Sequence, residues 1–220
     1  MASYFNLTLD TTAPAGVTVK INGDDIYTAT PSVTLTIATT DSVTTGYQMK
    51  IWGIEDVASQ EDADWETFAA SKSVILPGGD GLKTVSVIVR DNVGNESAVA
   101  TDNITLDTSV PVVTITGPDV GVISKVATFD TAIFNFQADS EFTEYKVCVV
   151  PSSASTQDAG TVIPTTAGSA NTSGSEGNYE ADTNIRVTIK GTDLATASSA
   201  DGVKIIKVFV LNPAGTWSQA

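Results

Sequence analysis

The sequence contains no histidine and only one cysteine, Cys148. Without histidine the chain cannot build Ser–His–Asp or Cys–His catalytic groups, and it lacks the imidazole ligands of most zinc sites. One thiol cannot form an internal disulfide, so packing alone has to stabilise the fold. These absences predict a protein that is not an enzyme and has no catalytic, metal or cofactor site.

Basic residues are also scarce. The chain carries 11 Lys and Arg against 26 Asp and Glu, a formal net charge of −15 at pH 7. Nucleic acids and anionic membranes attract clustered basic residues, so we expect neither as a partner. No apolar run reaches the roughly 18–20 residues of a membrane span, and the N-terminus lacks the basic start and apolar stretch of a secretory signal. We therefore expect synthesis in a reducing cytoplasm.

Long helix-forming side chains are few, whereas Thr, Val, Ser and Ala are abundant. Thr and Val fit a pleated sheet better than a helix, so the composition favours strands. Short segments of alternating apolar and polar residues, separated by Gly, Asp, Asn and Pro, predict strands with one buried face and an all-β fold. The alternating apolar positions are Val33-Leu35-Ile37, Tyr47-Met49-Ile51, Val85-Val87-Val89, Ala132-Phe134-Phe136, Tyr145-Val147-Val149, Ile185-Val187-Ile189 and Ile206-Val208-Val210.

The chain contains an internal repeat. We predict two tandem antiparallel β-sandwich domains, residues 1–108 and 109–220, with residues 1–10 as an extra N-terminal strand. The second copy carries an insertion, residues 151–183, rich in Ser, Thr and Gly, which we expect to be an exposed loop with a short hairpin near residues 161–163. The recurring pairs are Leu9-Asp10-Thr11-Thr12-Ala13-Pro14 with Leu106-Asp107-Thr108-Ser109-Val110-Pro111, Thr45-Gly46-Tyr47 with Thr143-Glu144-Tyr145, and Asp80-Gly81-Leu82-Lys83 with Asp201-Gly202-Val203-Lys204.

Two glycine-containing segments are candidates for binding loops. Gly78-Gly79-Asp80-Gly81-Leu82-Lys83 superficially resembles a phosphate loop, but it lacks the Gly-Lys-Ser/Thr ending and precedes a strand. We interpret it as a tight turn. Asp91, Asn92, Asn95 and Glu96 surround Gly94, and hairpin-turn chemistry explains those residue types.

Carboxylates are the remaining candidates for chemistry. A two-carboxylate glycosidase would need a deep cleft, which a slim sandwich rarely provides. An acidic segment offers oxygen ligands for calcium but lacks the spacing and the glycine of a calcium loop, so a solvated loop is favoured. Its members are Glu55, Asp56, Glu61, Asp62, Asp64 and Glu66.

Cys148 lies out of phase with Tyr145, Val147 and Val149, so we place it on the outer face of its strand, matching Lys50 of the first unit. We expect a half-buried, inert thiol, with an intermolecular contact as the alternative. Trp65 and Trp217 more often cap a sandwich core than stack on a ligand.

The N-terminal segment repeats a strand found later in the chain. Residues 6–11, Asn-Leu-Thr-Leu-Asp-Thr, match residues 103–108, Asn-Ile-Thr-Leu-Asp-Thr, which we predict to be the last strand of the first unit. The second unit has no counterpart of that strand after Ser218. We therefore predict contact with a partner through Tyr4, Phe5, Leu7 and Leu9, by exchange of residues 3–10 between copies. Two alternatives remain: pairing of this segment within the first unit, and a chain that is part of a longer one.

Several motifs resemble known proteins. The segments 78–85 and 90–97 resemble the closing strands of bacterial immunoglobulin-like repeats, as does the Leu-Asp-Thr-x-x-Pro junction. Residues 47–53, Tyr-Gln-Met-Lys-Ile-Trp-Gly, together with a start at Met1, resemble immunoglobulin-like virion proteins of tailed bacteriophages. The second unit departs from this pattern at Asn212-Pro213-Ala214-Gly215.

The resemblance implies two immunoglobulin-like domains and a non-enzymatic structural or adhesive role in a phage virion, as a capsid decoration or a head or tail appendage. The implied partners are other virion proteins and, through strand exchange, the chain itself, with weak adhesion to host-surface glycans as a secondary expectation. The protein would be made in the host cytoplasm and localised to the virion. The alternative is an adhesive stalk of a bacterial surface protein, and a carbohydrate-active enzyme is a third class.

Overall fold

A computed structural model describes residues 5–175 and 177–219. The chain divides into two compact units, Met1–Thr108 and Ser109–Ala220, which we call unit 1 and unit 2. No helix among the described residues is long and apolar enough to cross a membrane.

Unit 1 contains two sheets that enclose one core. Strands β1, β3 and β6 form the first sheet, in the order β1-β3-β6, and the second sheet has the order β2-β8-β7-β4-β5. All neighbours are antiparallel except β2 and β8, which are parallel. The strands are β1 (Thr18–Ile21), β2 (Tyr27–Thr28), β3 (Ser32–Ala38), β4 (Gln48–Trp52), β5 (Glu66–Thr67), β6 (Ser71–Ile75), β7 (Gly81–Arg90) and β8 (Ala100–Leu106).

The alternation in sequence sets the faces of these strands, as predicted. In β3, Val33, Leu35 and Ile37 are buried and the residues between them are exposed. Side chains of a strand point alternately to its two faces, so one face of β3 meets the buried side chains of β4, β7 and β8. The result is an immunoglobulin-like β-sandwich, and the predicted all-β fold class is confirmed.

Unit 2 also consists of two sheets around one core, but its second sheet is built differently. Its first sheet has the order β14-β10-β9, and in its second sheet β11 pairs with β15 on one edge and with β12 and β13 on the other. The elements are β9 (Val113–Thr116), β10 (Thr131–Ala138), β11 (Glu144–Val150), β12 (Thr161–Val162), β13 (Ser173–Gly174), β14 (Ile185–Lys190), α1 (Gly191–Ala197) and β15 (Ile205–Leu211). The seven-residue helix α1 is too short to show a helical period, so no sequence pattern predicted it.

Most described residues of the insertion, 151–183, are exposed, as predicted, but two short segments of it pair with β11. β12 pairs with Cys148 and Val149, and β13 pairs with Tyr145 and Lys146, so both extend the β11 sheet instead of pairing with each other. Ile163 is fully buried. The predicted hairpin was wrong, because β12 and β13 follow the edge of β11, whose backbone groups they satisfy.

The predicted N-terminal strand is not formed by residues 5–10 of the single chain, which have no regular secondary structure. The edge of β8 that this segment could join within unit 1 is already paired with β2. Pairing of residues 5–10 within unit 1 is therefore not observed. The segment contacts unit 1 through Asp10, whose carbonyl accepts a hydrogen bond from Asn95 Nδ2 at 3.3 Å.

Candidate functional site

Both glycine-containing segments form turns. Gly79 and Gly81 have φ of +79° and +113°, and β7 starts at Gly81, so the segment is a turn that leads into a strand, as predicted. The Asp91 carboxylate accepts hydrogen bonds from the backbone N–H groups of Val93 (2.9 Å) and Asn95 (2.8 Å). Its burial raises the pKa, but hydrogen bonds from Asn95, Val93 and Gly94 outweigh that effect and hold the pKa of Asp91 below its usual value. Asp91 therefore closes a hairpin turn, as its residue type predicted.

The acidic segment does not assemble a metal centre from the described residues, among which no three His, Cys, Asp or Glu side chains converge. Glu66 forms an ion pair with Lys72, and the Asp62 carboxylate accepts a hydrogen bond from Ser59 at 2.7 Å. The segment is a solvated loop whose charges are partly balanced by near neighbours.

Trp65 and Trp217, two of the three tryptophans, lie on the outer face of their sheets and are not among the side chains packed on the two sandwich cores. In unit 1, Arg90 Cζ lies 4.1 Å from the centre of the Trp65 ring and Lys50 Nζ lies 5.4 Å from it. In unit 2, Lys146 Nζ lies 4.5 Å from the Trp217 ring centre. These are cation–π contacts, which pair each indole ring with basic side chains of its own unit.

Cys148 lies on the outer face of β11, as predicted, but it is fully buried rather than half-buried. It packs with Val150, Ala154 and Phe209 in a cluster separate from the sandwich core, and Trp217 lies against that cluster. The insertion supplies Ala154, which explains why alternation alone underestimated the burial. Burial raises the pKa of the Cys148 thiol, although Lys146 opposes this effect, so burial disfavours the reactive thiolate.

The strand register also corrects the match between Cys148 and Lys50. Lys50 pairs with Ile88 in β7, and Lys146 pairs with Phe209 in β15. Val89 and Val210 each accept the hairpin contact of a serine, Ser97 in unit 1 and Ser218 in unit 2. Ile88 and Phe209 each come one residue earlier, so they are equivalent positions. Lys146 is therefore the counterpart of Lys50. Both lysines lie over a tryptophan ring.

The side chains predicted to contact a partner are prominent on the surface. Phe5, Leu7 and Leu9 are each 86% exposed. Tyr4 lies outside the described residues. Three large apolar side chains at alternate positions of an extended segment would bury one face if the segment joined a sheet.

The most distinctive feature of the molecule is the open edge of β15. In unit 1, the corresponding strand β7 pairs with β4 on one edge and with β8 on the other. In unit 2, β15 pairs with β11, and no strand of the described residues lies along its other edge. That edge is closed at one end only, where the Ser218 backbone N–H donates to the Val210 carbonyl at 2.8 Å. We call the remainder, residues 202–208, the open edge.

An apolar groove lies beside the open edge. It has a volume of about 740 Å³ and lies between β9 of the first sheet and the start of β15. Asp201 is the one carboxylate among the described residues that line it. A glycosidase needs two carboxylates across the scissile bond, so this groove does not match that chemistry. Its walls include Ile115, Pro118, Phe134, Ile189, Leu194 and Ile206.

Asp193, which no motif singled out, is the anchor of the insertion. Its fully buried carboxylate accepts hydrogen bonds from the backbone N–H groups of Ala167 and Ser169, both at 2.8 Å, and from Thr166 Oγ1 at 3.0 Å. Burial raises the pKa, but these hydrogen bonds outweigh it and hold the pKa of Asp193 below its usual value. Its role is structural, and the sequence signal is weak because one Asp in a Ser/Thr-rich protein is unexceptional.

No protein-family model and no curated protein matches the chain. Among solved structures, fibronectin(III)-like modules of CbhA from Clostridium thermocellum are similar at 11% identity and a TM-score of 0.44, over 91% of this chain and 88% of that chain. The FN1–FN3 domains of chicken CNTN1 are similar at 11% identity and a TM-score of 0.42, over 96% of this chain and 64% of that chain. Chitinase ChiA74 from Bacillus thuringiensis matches at 14% identity and a TM-score of 0.32, over 92% of this chain and 30% of that chain.

The strand order defines the class of protein: two tandem immunoglobulin-like β-sandwich domains, the second of which has an open edge.

Proposed function

We propose that the protein is a non-enzymatic structural protein of a tailed-phage virion, displayed as a capsid decoration or as a head or tail appendage. The observation that carries the proposal is a pair of immunoglobulin-like sandwiches with an exposed sheet edge. Such surfaces act through complementarity and strand pairing rather than through chemistry. On this proposal the protein is made in the host bacterial cytoplasm, and its partners are other virion proteins, with weak adhesion to host-surface glycans.

Two properties support a particle that is assembled in a reducing cytoplasm and then exposed to the medium. The one thiol is buried and the fold uses no disulfide, so folding does not depend on an oxidising compartment. The net charge of −15 favours solubility and disfavours adsorption to the packaged nucleic acid. The motif at residues 47–53, which carries the virion resemblance, contains β4 and is therefore a structural element of unit 1.

The test is fractionation of a lysate from the bacterium that carries the gene. Phage particles and cell envelopes are separated on a density gradient, and peptides of this chain are quantified in each fraction by mass spectrometry. We expect enrichment with the particles, in step with their major capsid protein. Intact particles should also lose the chain on brief protease treatment while they retain the capsid protein, because a decoration is exposed.

Recovery in the envelope fraction without enrichment in particles would overturn the proposal and favour the adhesive stalk. A cytoplasmic host enzyme measured in the same fractions controls for trapped lysate. Purified protein incubated with bacterial glycans tests the enzymatic alternative, for which release of reducing ends above a buffer control would be decisive.

A further inference from the structure

The N-terminal segment, residues 5–11, has the sequence of a strand that already completes a sandwich in this chain. Residues 6–11 differ from residues 103–108 only by Leu7 in place of Ile104. In unit 1, Ile104 and Leu106 of β8 are buried, with relative exposures of 0% and 2%. Their counterparts Leu7 and Leu9 are exposed to solvent in the single chain. The segment therefore has the apolar face of a last strand, but within the described residues of the single chain it is not part of a sheet.

The open edge has the backbone groups that such a strand would bind. In β7, the backbone N–H and C=O of Val89 point toward Ser97. The backbone groups of every second residue of a strand point to the same edge, so those of Val85 point toward β8. In β15, Val210 makes the same contacts with Ser218. Val208 and Ile206, at the same parity, direct their backbone groups to the open edge. β15 begins only at Ile205, whereas β7 begins at Gly81, because residues 202–204 have no partner strand.

The groove beside the open edge is the space that β8 fills in unit 1. Val19 of β1 pairs with buried Ile37 and is 6% exposed. In unit 2, Ile115 of β9 pairs with buried Phe136 in the same way but is 42% exposed. The missing cover is an apolar strand, since the groove between β9 and β15 is lined by side chains such as Ile115 and Ile206. Burying Leu7 and Leu9 there would remove two exposed apolar side chains from water and so favour association.

The polar contact that follows β8 in unit 1 also has counterparts in the N-terminal segment and in unit 2. In unit 1, Thr108 donates hydrogen bonds to Asp80 Oδ1 from its backbone N–H at 2.9 Å and from Oγ1 at 2.8 Å. The counterpart of Asp80 is Asp201, followed by Gly202 at φ +118° as Asp80 is followed by Gly81 at φ +113°. Asp201 is exposed and accepts no hydrogen bond from the described residues. The counterpart of Thr108 is Thr11. Each chain therefore carries both the donor, Thr11, and the acceptor, Asp201.

We propose that residues 5–11 of one copy add as a strand to the open edge of a second copy and complete its unit 2. In the register of β7 and β8, Phe5 lies opposite Ile206, Leu7 opposite Lys204 and Leu9 opposite Gly202. Phe5, Leu7 and Leu9 enter the groove, and Thr11 donates to Asp201. The donated strand continues through Thr12-Ala13-Pro14 into unit 1 of its own copy, as β8 continues through Ser109-Val110-Pro111 into unit 2.

The contact joins two different surfaces, so each copy offers one donor and one acceptor. Heterologous contacts of this kind build rings or open chains rather than closed two-fold dimers. Assembly of this kind does not depend on where the protein is displayed. A purified chain that fails to assemble would therefore overturn strand exchange without overturning the proposed virion role, which the fractionation experiment tests.

The first test measures molar mass by size-exclusion chromatography with light scattering over a range of concentrations. We expect the mass to rise above the 22.8 kDa of one chain as concentration increases. The double variant Leu7→Asp, Leu9→Asp should need at least about a tenfold higher concentration to assemble. Asp201→Ala, which leaves the groove intact, should weaken assembly about tenfold through loss of the hydrogen bonds from Thr11.

A matched control is the double variant Val43→Asp, Val93→Asp, which also replaces two exposed apolar side chains of unit 1 with carboxylates. It should assemble as the unchanged chain does. Equal losses in both double variants would assign the effect to added charge and overturn the proposal. A mass of 22.8 kDa at every concentration would also overturn it, and would leave the open edge to a strand from a different protein.

The second test fixes the register with a disulfide. Thr8 and Val203 should face each other at a non-hydrogen-bonded pair, as Thr105 and Leu82 do, where Cα atoms are close enough for a disulfide. The variant Thr8→Cys, Val203→Cys should form a ladder of linked chains on a non-reducing gel. The control Thr8→Cys, Leu82→Cys places the second thiol at another exposed position, but opposite a strand that is already present, and should form few linked chains. Similar ladders in both variants, or an internal disulfide in a single chain, would overturn exchange between copies.

Discussion

The Asp193 carboxylate accepts a 2.8 Å hydrogen bond from the backbone N–H of Ser169, across 24 residues of chain. Together with the bonds from Thr166 and Ala167, this contact ties the insertion to helix α1. A glycine-rich segment of that length loses much conformational entropy when it is ordered, so its anchors matter for the stability of unit 2.

Asp193→Ala should therefore destabilise unit 2. The substitution leaves two backbone N–H groups and one hydroxyl without their acceptor, which costs about 1–3 kcal/mol for each buried group that water does not reach. Asp193→Asn should cost less because it keeps one acceptor oxygen. Urea denaturation followed by circular dichroism measures both, and the exposed Asp158→Asn of the same insertion is the control. Equal stability of Asp193→Ala and the control would contradict the anchor role.

Acid should destabilise the protein through Asp91 and Asp193. Hydrogen bonds hold the folded pKa of each group below its unfolded value, despite the opposing effect of burial. The stability that results is present above the unfolded pKa of about 3.9 and is lost as the pH falls through the lower folded pKa. Denaturation midpoints should change little between pH 7 and pH 5 and fall below about pH 4. Asp91→Asn and Asp193→Asn should flatten this dependence, and an unchanged slope in both would contradict it.

The Cys148 thiol should not react with a thiol reagent in the native protein. It is fully buried, and burial raises its pKa, so little thiolate is present at neutral pH. Colour release from a disulfide reagent should be slow in buffer and reach one thiol per chain in denaturant. Val203→Cys, at a position that is 97% exposed, should add one fast thiol and serves as the control. Trp217→Ala should speed the reaction of Cys148, since Trp217 lies against its cluster.

Gly53 should tolerate alanine poorly compared with Gly23. Both have φ of +80°, so alanine carries a similar backbone cost of about 1–2 kcal/mol at each. A Cβ on Gly53 would lie 2.0 Å from the Thr84 carbonyl oxygen, whereas one on Gly23 would have no heavy atom within 4 Å. Gly53→Ala should therefore lose about 1–3 kcal/mol more than Gly23→Ala in thermal or urea denaturation. Similar losses would show that β4 and β7 can move apart at this point.

Motifs predicted the turns, which are local, more reliably than burial and edge pairing, which depend on residues distant in the chain. The turn at Gly79 and the hairpin at Asp91 were predicted correctly because their geometry depends on residues within a few positions. The burial of Cys148 was underestimated because Ala154 and Trp217, which cover it, reach it through loops that carry no alternation. The pairing of the insertion with β11 was not predicted, since polar composition does not reveal that a segment will pair with the edge of a sheet.

The open edge was partly visible in the sequence. The match between residues 6–11 and 103–108 predicted that a last strand was missing from unit 2, and the structure shows β15 without a partner on that edge among the described residues. The groove, the exposure of Ile115 and the empty acceptor at Asp201 could not be predicted, because each depends on where β9 and β15 lie relative to each other.

The sequence by itself determined the strands, the faces they bury and the repetition of one sandwich, because side-chain alternation and turn residues act over a few positions. Only the tertiary structure decided which edges are paired. β2 covers the edge of β8 in unit 1, and β12 and β13 cover β11 in unit 2, while no strand of the described residues covers the far edge of β15. Edge pairing joins residues that are distant in the chain, and its free energy depends on which neighbours the packed core brings within hydrogen-bonding distance.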